Sequence, residues 1–156
     1  MKNILKLLFF SGIIALAAFS CDDEKDNPSD YKPIEIKKIT DFGCEVCYLR
    51  INQEHDKDDT CYVINTKENF EEIVEYISEE SIPSIDFEKY FLIIGTIFFP
   101  TWAEIVEENA KENDLEIVYQ VHYKIYGYTL PGVLNYHAFI EKPVSDKTIQ
   151  VELIKE

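Results

Sequence analysis

Three cysteines and a histidine sit close enough in sequence to do chemistry together: Cys44, Cys47, His55 and Cys61. Cys44-Glu45-Val46-Cys47 has the spacing of a redox pair, whose thiolates exchange with a disulfide. With His55 and Cys61 the set counts four ligands, the number a structural zinc needs. A disulfide between Cys61 and either Cys44 or Cys47 is the simplest use, and free thiols are a further alternative. In an extended strand residues i and i+3 lie about 10 Å apart on opposite faces, so Cys44 is not expected to bridge to Cys47. His122 and His137 form a second pair of interest. If their strands make one hairpin turning near Thr129–Leu130, the two histidines sit directly across from each other, with Cβ atoms about 5 Å apart. Two ligands do not complete a metal site, and no metal or other cofactor is expected.

Carboxylates are too frequent for any pair to be informative. The chain has 156 residues, with 15 basic and 30 acidic side chains and a formal charge of −15. Without the first twenty residues, which hold Lys2 and Lys6, the rest carries 13 basic and 30 acidic groups, or −17. That charge excludes nucleic acid as a natural partner. Arg50 is the single arginine, the five glycines form no phosphate loop, and no Ser–His–Asp spacing stands out. No catalytic set is therefore assigned, and the protein is expected not to be an enzyme. Ten tyrosines, ten phenylalanines and one tryptophan are the remaining lead. Phe98, Phe99, Trp102, Tyr126, Tyr128 and Tyr136 gather near predicted strand ends. Exposed Tyr and Trp favour protein or sugar partners. Trp102, Tyr126, Tyr128 and Tyr136 are the binding candidates.

The elements that must position these residues follow from hydrophobic period. Ile34–Ile39, Glu45–Ile51 and Thr60–Ile64 read as short strands, with Asn52–Asp59 as the loop between the last two. Asn65 and Glu68 make a capping-box pattern. Phe70, Ile73, Val74 and Ile77 then form one helical stripe, predicting a helix to about Ser78. Phe91–Phe99 (FLIIGTIFF) reads as a central strand buried on both faces. Leu115–Tyr126 alternates, with Ile117, Tyr119 and Val121 inward. Leu134, Tyr136, Ala138 and Ile140 repeat the pattern before a last strand, Thr148–Ile154. This order predicts an α+β domain over 34–156. Its sheet is mainly antiparallel, of about six to seven strands, with one helix packed against it.

The first twenty residues combine a basic start, a short apolar run and small residues, the pattern of a secretory signal. The apolar run is short for a spanning helix. Cys21 follows directly, and Ala18-Phe19-Ser20-Cys21 resembles a bacterial lipobox, in which the thiol receives diacylglycerol. Asp22-Asp23-Glu24-Lys25-Asp26 resembles the acidic tract of Bacteroidetes surface lipoproteins. The resemblance implies residues 1–20 as signal peptide, Cys21 as the lipidated residue and 21–33 as an acidic tether. It implies an outer-membrane lipoprotein exposed at the cell surface.

A further resemblance covers Asn65 to Ile154. Asn65-Thr66-Lys67-Glu68-Asn69-Phe70, Ile85-Asp86-Phe87-Glu88-Lys89-Tyr90 and Phe139-Ile140-Glu141-Lys142-Pro143 are similar to motifs of small lipoprotein domains described as protease-complex-inhibitor-like. The resemblance makes residues 103–109 a strand, which the sequence alone leaves between strand and helix. It implies an interaction module and brings no catalytic residues. The expectation is a lipid-anchored surface or periplasmic protein that binds a protein or glycan. The alternatives are an extracytoplasmic thiol-redox or zinc protein using Cys44, Cys47 and Cys61, and a protease regulator.

Overall fold

The computed structural model describes residues 30–44, 47–56, 60–77, 84–127 and 131–156. The expected signal segment, Cys21, the first nine residues of the tether and Tyr128 lie outside them. Nine strands and one α-helix are seen among the described residues, arranged in three sheets. They are β1 (Lys32–Ile34), β2 (Tyr48–Ile51), β3 (Cys61–Ile64), α1 (Lys67–Ile73), β4 (Val74–Ile77), β5 (Tyr90–Phe99), β6 (Ala103–Glu112), β7 (Glu116–Ile125), β8 (Gly132–Glu141) and β9 (Thr148–Lys155). The strands are more numerous, and divided among more sheets, than the sequence predicted. The stretch read as tether also contributes to the fold, because Lys32 and Pro33 belong to β1.

One sheet runs β1-β6-β7-β9 and a second runs β3-β5-β8. Every pairing is antiparallel except β7 with β9. The β6–β7 hairpin turns on Asn113, whose Oδ1 accepts from the amides of Leu115 and Glu116, 2.8 Å each. The two sheets enclose the main core. Phe91, Ile93 and Ile97 of β5 and Leu134, Tyr136, Ala138 and Ile140 of β8 meet Ile117, Tyr119 and Val121 of β7. These are the inward rows the alternation predicted. The strand assignment of 103–109 holds, as β6 spans Ala103–Glu112.

The β3-β5-β8 sheet is buried on its other face too. Leu92, Ile94, Ile64 and Phe139 pack there against Ile39, Leu49, Ile51, Phe70 and Val74. β5 is thus covered on both sides, as its unbroken apolar run requires. The covering layer departs from expectation. Its helix stops at Ile73, where Val74 (φ −100°, ψ 124°) turns the chain into β4. Val74 and Ile77 continue the helical stripe in sequence, yet they pair with Ile51 and Tyr48 of β2. A β-branched residue at the junction and the Arg50–Glu75 pair across the ribbon favour the strand. The N-cap is Thr66, one residue after the expected Asn65, and its hydroxyl accepts from the Asn69 amide.

β2 and β3 are not neighbours. β2 pairs with β4, whereas β3 pairs with β5. Asn52 sets this arrangement: its amide donates to the Ile73 carbonyl and its side chain to that of Glu72. The chain expected as a strand through Ile39 forms instead a 3-10 turn, Ile39–Phe42, ended by Gly43 at φ 89°. Ile39 seats in the second core.

Candidate binding surface

The second face of the β5–β8 pair is only partly covered. Side chains alternate along both strands, so Leu92, Ile94, Thr96 and Phe98 share that face with Phe139, His137, Asn135 and Val133. The helix and ribbon lie over Leu92, Ile94 and Phe139. Further along, the cover ends at a polar step. Thr96 Oγ1 donates to Asn135 Oδ1 at 3.0 Å, and Asn135 Nδ2 donates to the Tyr48 hydroxyl at 2.7 Å. The next cross-strand pair is Phe98 with Val133, 41% and 51% exposed.

Trp102 lies at the same end of the sandwich. It follows β5 and is 50% exposed. Its carbonyl accepts from the Tyr126 amide at 2.8 Å, which fixes the backbone at the mouth of β7. Gly132 lets β8 approach that backbone: a Cβ there would lie 3.1 Å from the Thr101 carbonyl oxygen and 3.3 Å from Trp102 Cα. Tyr48, 49% exposed, borders the surface on the other side. Phe98 and Val133, linked to Tyr48 through Asn135, therefore form an exposed apolar and aromatic surface beyond the buried Thr96, and Trp102 is exposed at the same end of the sandwich. Patches of this kind mark interaction sites on soluble domains.

The aromatic candidates separate on inspection. Trp102 is on the surface. Tyr126 is half-buried beside it, its hydroxyl bonded to Glu104 and its ring under Lys124 Nζ at 5.4 Å. Tyr136 is not a surface residue: it is 3% exposed and fills the core between the sheets. Its place among the inward residues of β8 already required this. Tyr128 is outside the described residues. Sequence reasoning did not single out Val133 or Tyr48. The available signal was Val133, which occupies the outward phase of an alternating strand although it is apolar.

The cysteines also differ from expectation. Cys44 and Cys47 are joined by a disulfide, with Cα atoms 5.5 Å apart. The distance argument against this pair assumed extended chain. Cys44 instead leaves the 3-10 turn after the left-handed Gly43, and β2 starts only at Tyr48. Cys61 carries a free thiol on β3, within reach of the Tyr136 hydroxyl. Burial pushes that thiol's pKa up, and the Tyr136 hydrogen bond offsets part of the rise. Cys61 is thus not the partner of Cys44 or Cys47. With two of its ligands bonded to each other, the four-ligand zinc set does not form. Among the described residues no group of three or more His, Cys, Asp or Glu side chains is placed to hold a metal.

His122 and His137 lie in different sheets, because β7 pairs with β6 and β9 while β8 pairs with β5. His122 Nδ1 sits 2.7 Å from Glu156 Oε1. His137 is largely buried, and its Nε2 accepts from the Ile39 amide at 3.4 Å. Burial, with the Lys38 charge nearby, lowers its pKa to about 4. Lys38 Nζ donates to the His137 carbonyl and is 2.6 Å from Glu108, which also accepts from the Tyr119 hydroxyl.

A cleft of about 480 Å³ opens at the opposite end, lined among others by Lys37, Tyr90, Glu112, Glu141, Lys142 and Lys147. Its charges are largely matched within the chain. Lys147 pairs with Glu112 at 2.8 Å, and Lys37 with Glu35 at 3.7 Å. Lys142 donates to the Asn65 carbonyl. The aromatic surface is the better candidate, since large apolar side chains are 41–51% exposed there. The chain matches no protein-family model, no curated protein and no solved structure.

Proposed function

We propose that the protein is a lipid-anchored binding module of the outer membrane or periplasm, without catalytic activity of its own. It engages a protein or glycan through the surface formed by Phe98, Trp102, Val133 and Tyr48. One observation carries this reading: the cover over the β5–β8 face stops at Thr96–Asn135, and large apolar side chains stand exposed immediately beyond it. The N-terminal pattern ending at Cys21 supports the anchor. Aromatic side chains bring large contact area at low entropic cost, and the partly exposed Asn135 stands beside them.

Trp102 is the chain's single tryptophan, so its fluorescence reports on the surface directly. Titrating the protein with purified surface polysaccharides and with candidate protein partners is expected to shift that emission with one of the two classes. Trp102→Ala and Val133→Asp are expected to weaken the same binding at least tenfold while leaving the circular dichroism unchanged. Binding that neither variant alters, or a turnover abolished by one point mutation, overturns the proposal.

A thiol-exchange reading has one observation in its favour, the Cys44–Cys47 bond at two-residue spacing. Cys44 is 1% exposed, so an incoming thiolate would have to attack Cys47 and release Cys44. That reading requires a disulfide-reductase activity that disappears in Cys44→Ala. A reduced protein whose two thiols titrate near the ordinary value of about 8.5 excludes it.

A further inference from the structure

The two edges of the β1-β6-β7-β9 sheet are built differently. The β1 edge is three residues long and contains Pro33, two features that discourage a further strand. The β9 edge runs for eight residues, Thr148–Lys155, with no proline. Among the described residues no strand pairs with its outer side. The hydrogen bonds that flank β9 fix which groups face outward. The amides of Thr148 and Glu156 donate to the carbonyls of Leu115 and Tyr123 on the β7 side. Even-numbered residues thus pair inward, and the amides and carbonyls of Ile149, Val151 and Leu153 point away from the sheet. The side chains of these same three residues pack on the main core yet stay half-exposed. An added strand would satisfy the backbone groups and cover that apolar row together.

We infer that β9 pairs antiparallel with β9 of a second copy of this chain, joining two four-stranded sheets into one of eight. The length of β9 leaves two registers in which most of the strand is paired, with the axis at Val151 or at Glu152, and its sequence chooses between them. Opposed side chains must share a face, so the two-fold axis passes through a residue and not between two. An axis at Glu152 sets that carboxylate against its own copy. An axis at Val151 sets Val151 against Val151, Ile149 against Leu153 on the core side, and Gln150 against Glu152 on the outer side. Gln150 already donates to Glu116 and Glu152 accepts from Gln120, so each outer-side pair offers the second amide hydrogen of Gln150 to the other carboxylate oxygen of Glu152. Val151, Ile149 and Leu153 become the hydrogen-bonded positions, which matches the outward backbone groups.

The test uses the full chain in detergent, by sedimentation at 20 and 500 mM salt. The expected result is a dimer whose share rises with salt, because two chains with twice as many acidic as basic residues repel at long range. Val151→Pro removes an amide that points out of the sheet, which edge strands tolerate. It is expected to give a monomer with unchanged circular dichroism. Val151→Cys is expected to form a covalent dimer on mild oxidation, since opposed hydrogen-bonded residues stand about 5.5 Å apart, within disulfide range. A monomer at both salt concentrations, or a dimer that survives Val151→Pro without linking in Val151→Cys, overturns the inference. Trp102 emission with a bound partner is read separately, so a failed dimer leaves the binding proposal standing.

Discussion

Tyr136 of β8 lays its ring across the Cα of Gly95 on β5, its direct cross-strand partner, so that a Cβ at position 95 would overlap the ring. The same row continues to Cys61 on β3, opposite Gly95 from the other side. A glycine in a central strand costs conformational entropy. Here its missing side chain is the space the tyrosine occupies. The hydroxyl can therefore reach Cys61 across the strand between them.

Gly95→Ala is accordingly expected to destabilise the fold by about 3 kcal/mol, because backbone and ring must separate. Combined with Tyr136→Ala, the same substitution should cost much less than it does alone. Urea denaturation of the four proteins of this cycle measures the coupling. Additive costs would show that the ring and residue 95 are independent.

His137 makes stability depend on pH in the acid range. Its folded pKa of about 4 lies below the ordinary 6.5, chiefly from burial and then from the Lys38 charge. The neutral ring is the folded form, so its contribution is complete above pH 6.5 and is lost as the pH falls through 4. Protonation also turns Nε2 into a donor facing the Ile39 amide. The expected loss between pH 7 and pH 4 is about 2–3 kcal/mol from this residue. The difference between wild type and His137→Gln across that range isolates it. A histidine NMR titration with a midpoint near 6.5 would refute the assignment.

Lys38 and Glu108 form a largely covered pair, 30% and 14% exposed at the side chain. Lys38→Met leaves the Glu108 carboxylate without its cation and is expected to cost about 3 kcal/mol. Adding Glu108→Gln removes the orphaned charge and keeps an acceptor for the Tyr119 hydroxyl, so the double variant should regain part of that loss. Thermal melts at pH 7 decide it. A double variant no more stable than Lys38→Met would show that the charge is not the cause.

The Cys44–Cys47 bond closes a loop of four residues, which limits its entropic effect to about 2 kcal/mol. Cys44→Ser/Cys47→Ser should therefore stay folded with a modestly lower Tm. Alkylation without reductant should leave Cys44 and Cys47 unlabelled and modify Cys61 slowly in the native protein, faster once it unfolds. Native labelling of Cys61 as fast as in the unfolded chain would contradict its half-buried place and raised thiol pKa.

The long strands were legible because each keeps one period over ten residues. Phe91–Phe99 could only be a strand covered twice, and Leu115–Tyr126 only one covered once. The same alternation places Tyr136 inward, so its choice as a contact residue gave aromatic type precedence over strand phase. The covering layer was harder. Val74–Ile77 satisfies a helical stripe and a strand equally well, and the decision falls to partners distant in sequence, Arg50 and Ile51. Pairing of β7 and β8 failed for a related reason. A short connection between two alternating strands implies a hairpin, yet these strands enter opposite sheets. The surface at Phe98 and Trp102 was half visible. Phe98 and Trp102 stood out by type, whereas Val133 and Tyr48 enter only through the register of β5 with β8 and the Asn135 bridge.

The path from β7 to β9 bears on how the molecule comes apart. Between these parallel neighbours the chain crosses to the other sheet, adds β8 to β5, and returns. Neither sheet is therefore a separable foldon. Releasing β8 from β5 frees the chain on both sides of it, loosening β9 from β7 and opening the core from its centre. The β6–β7 hairpin can form early from local contacts, whereas β1 must find β6 some eighty residues away and β9 must await the crossover. Such a topology gives slow assembly and a single cooperative transition, with the sandwich appearing whole or not at all.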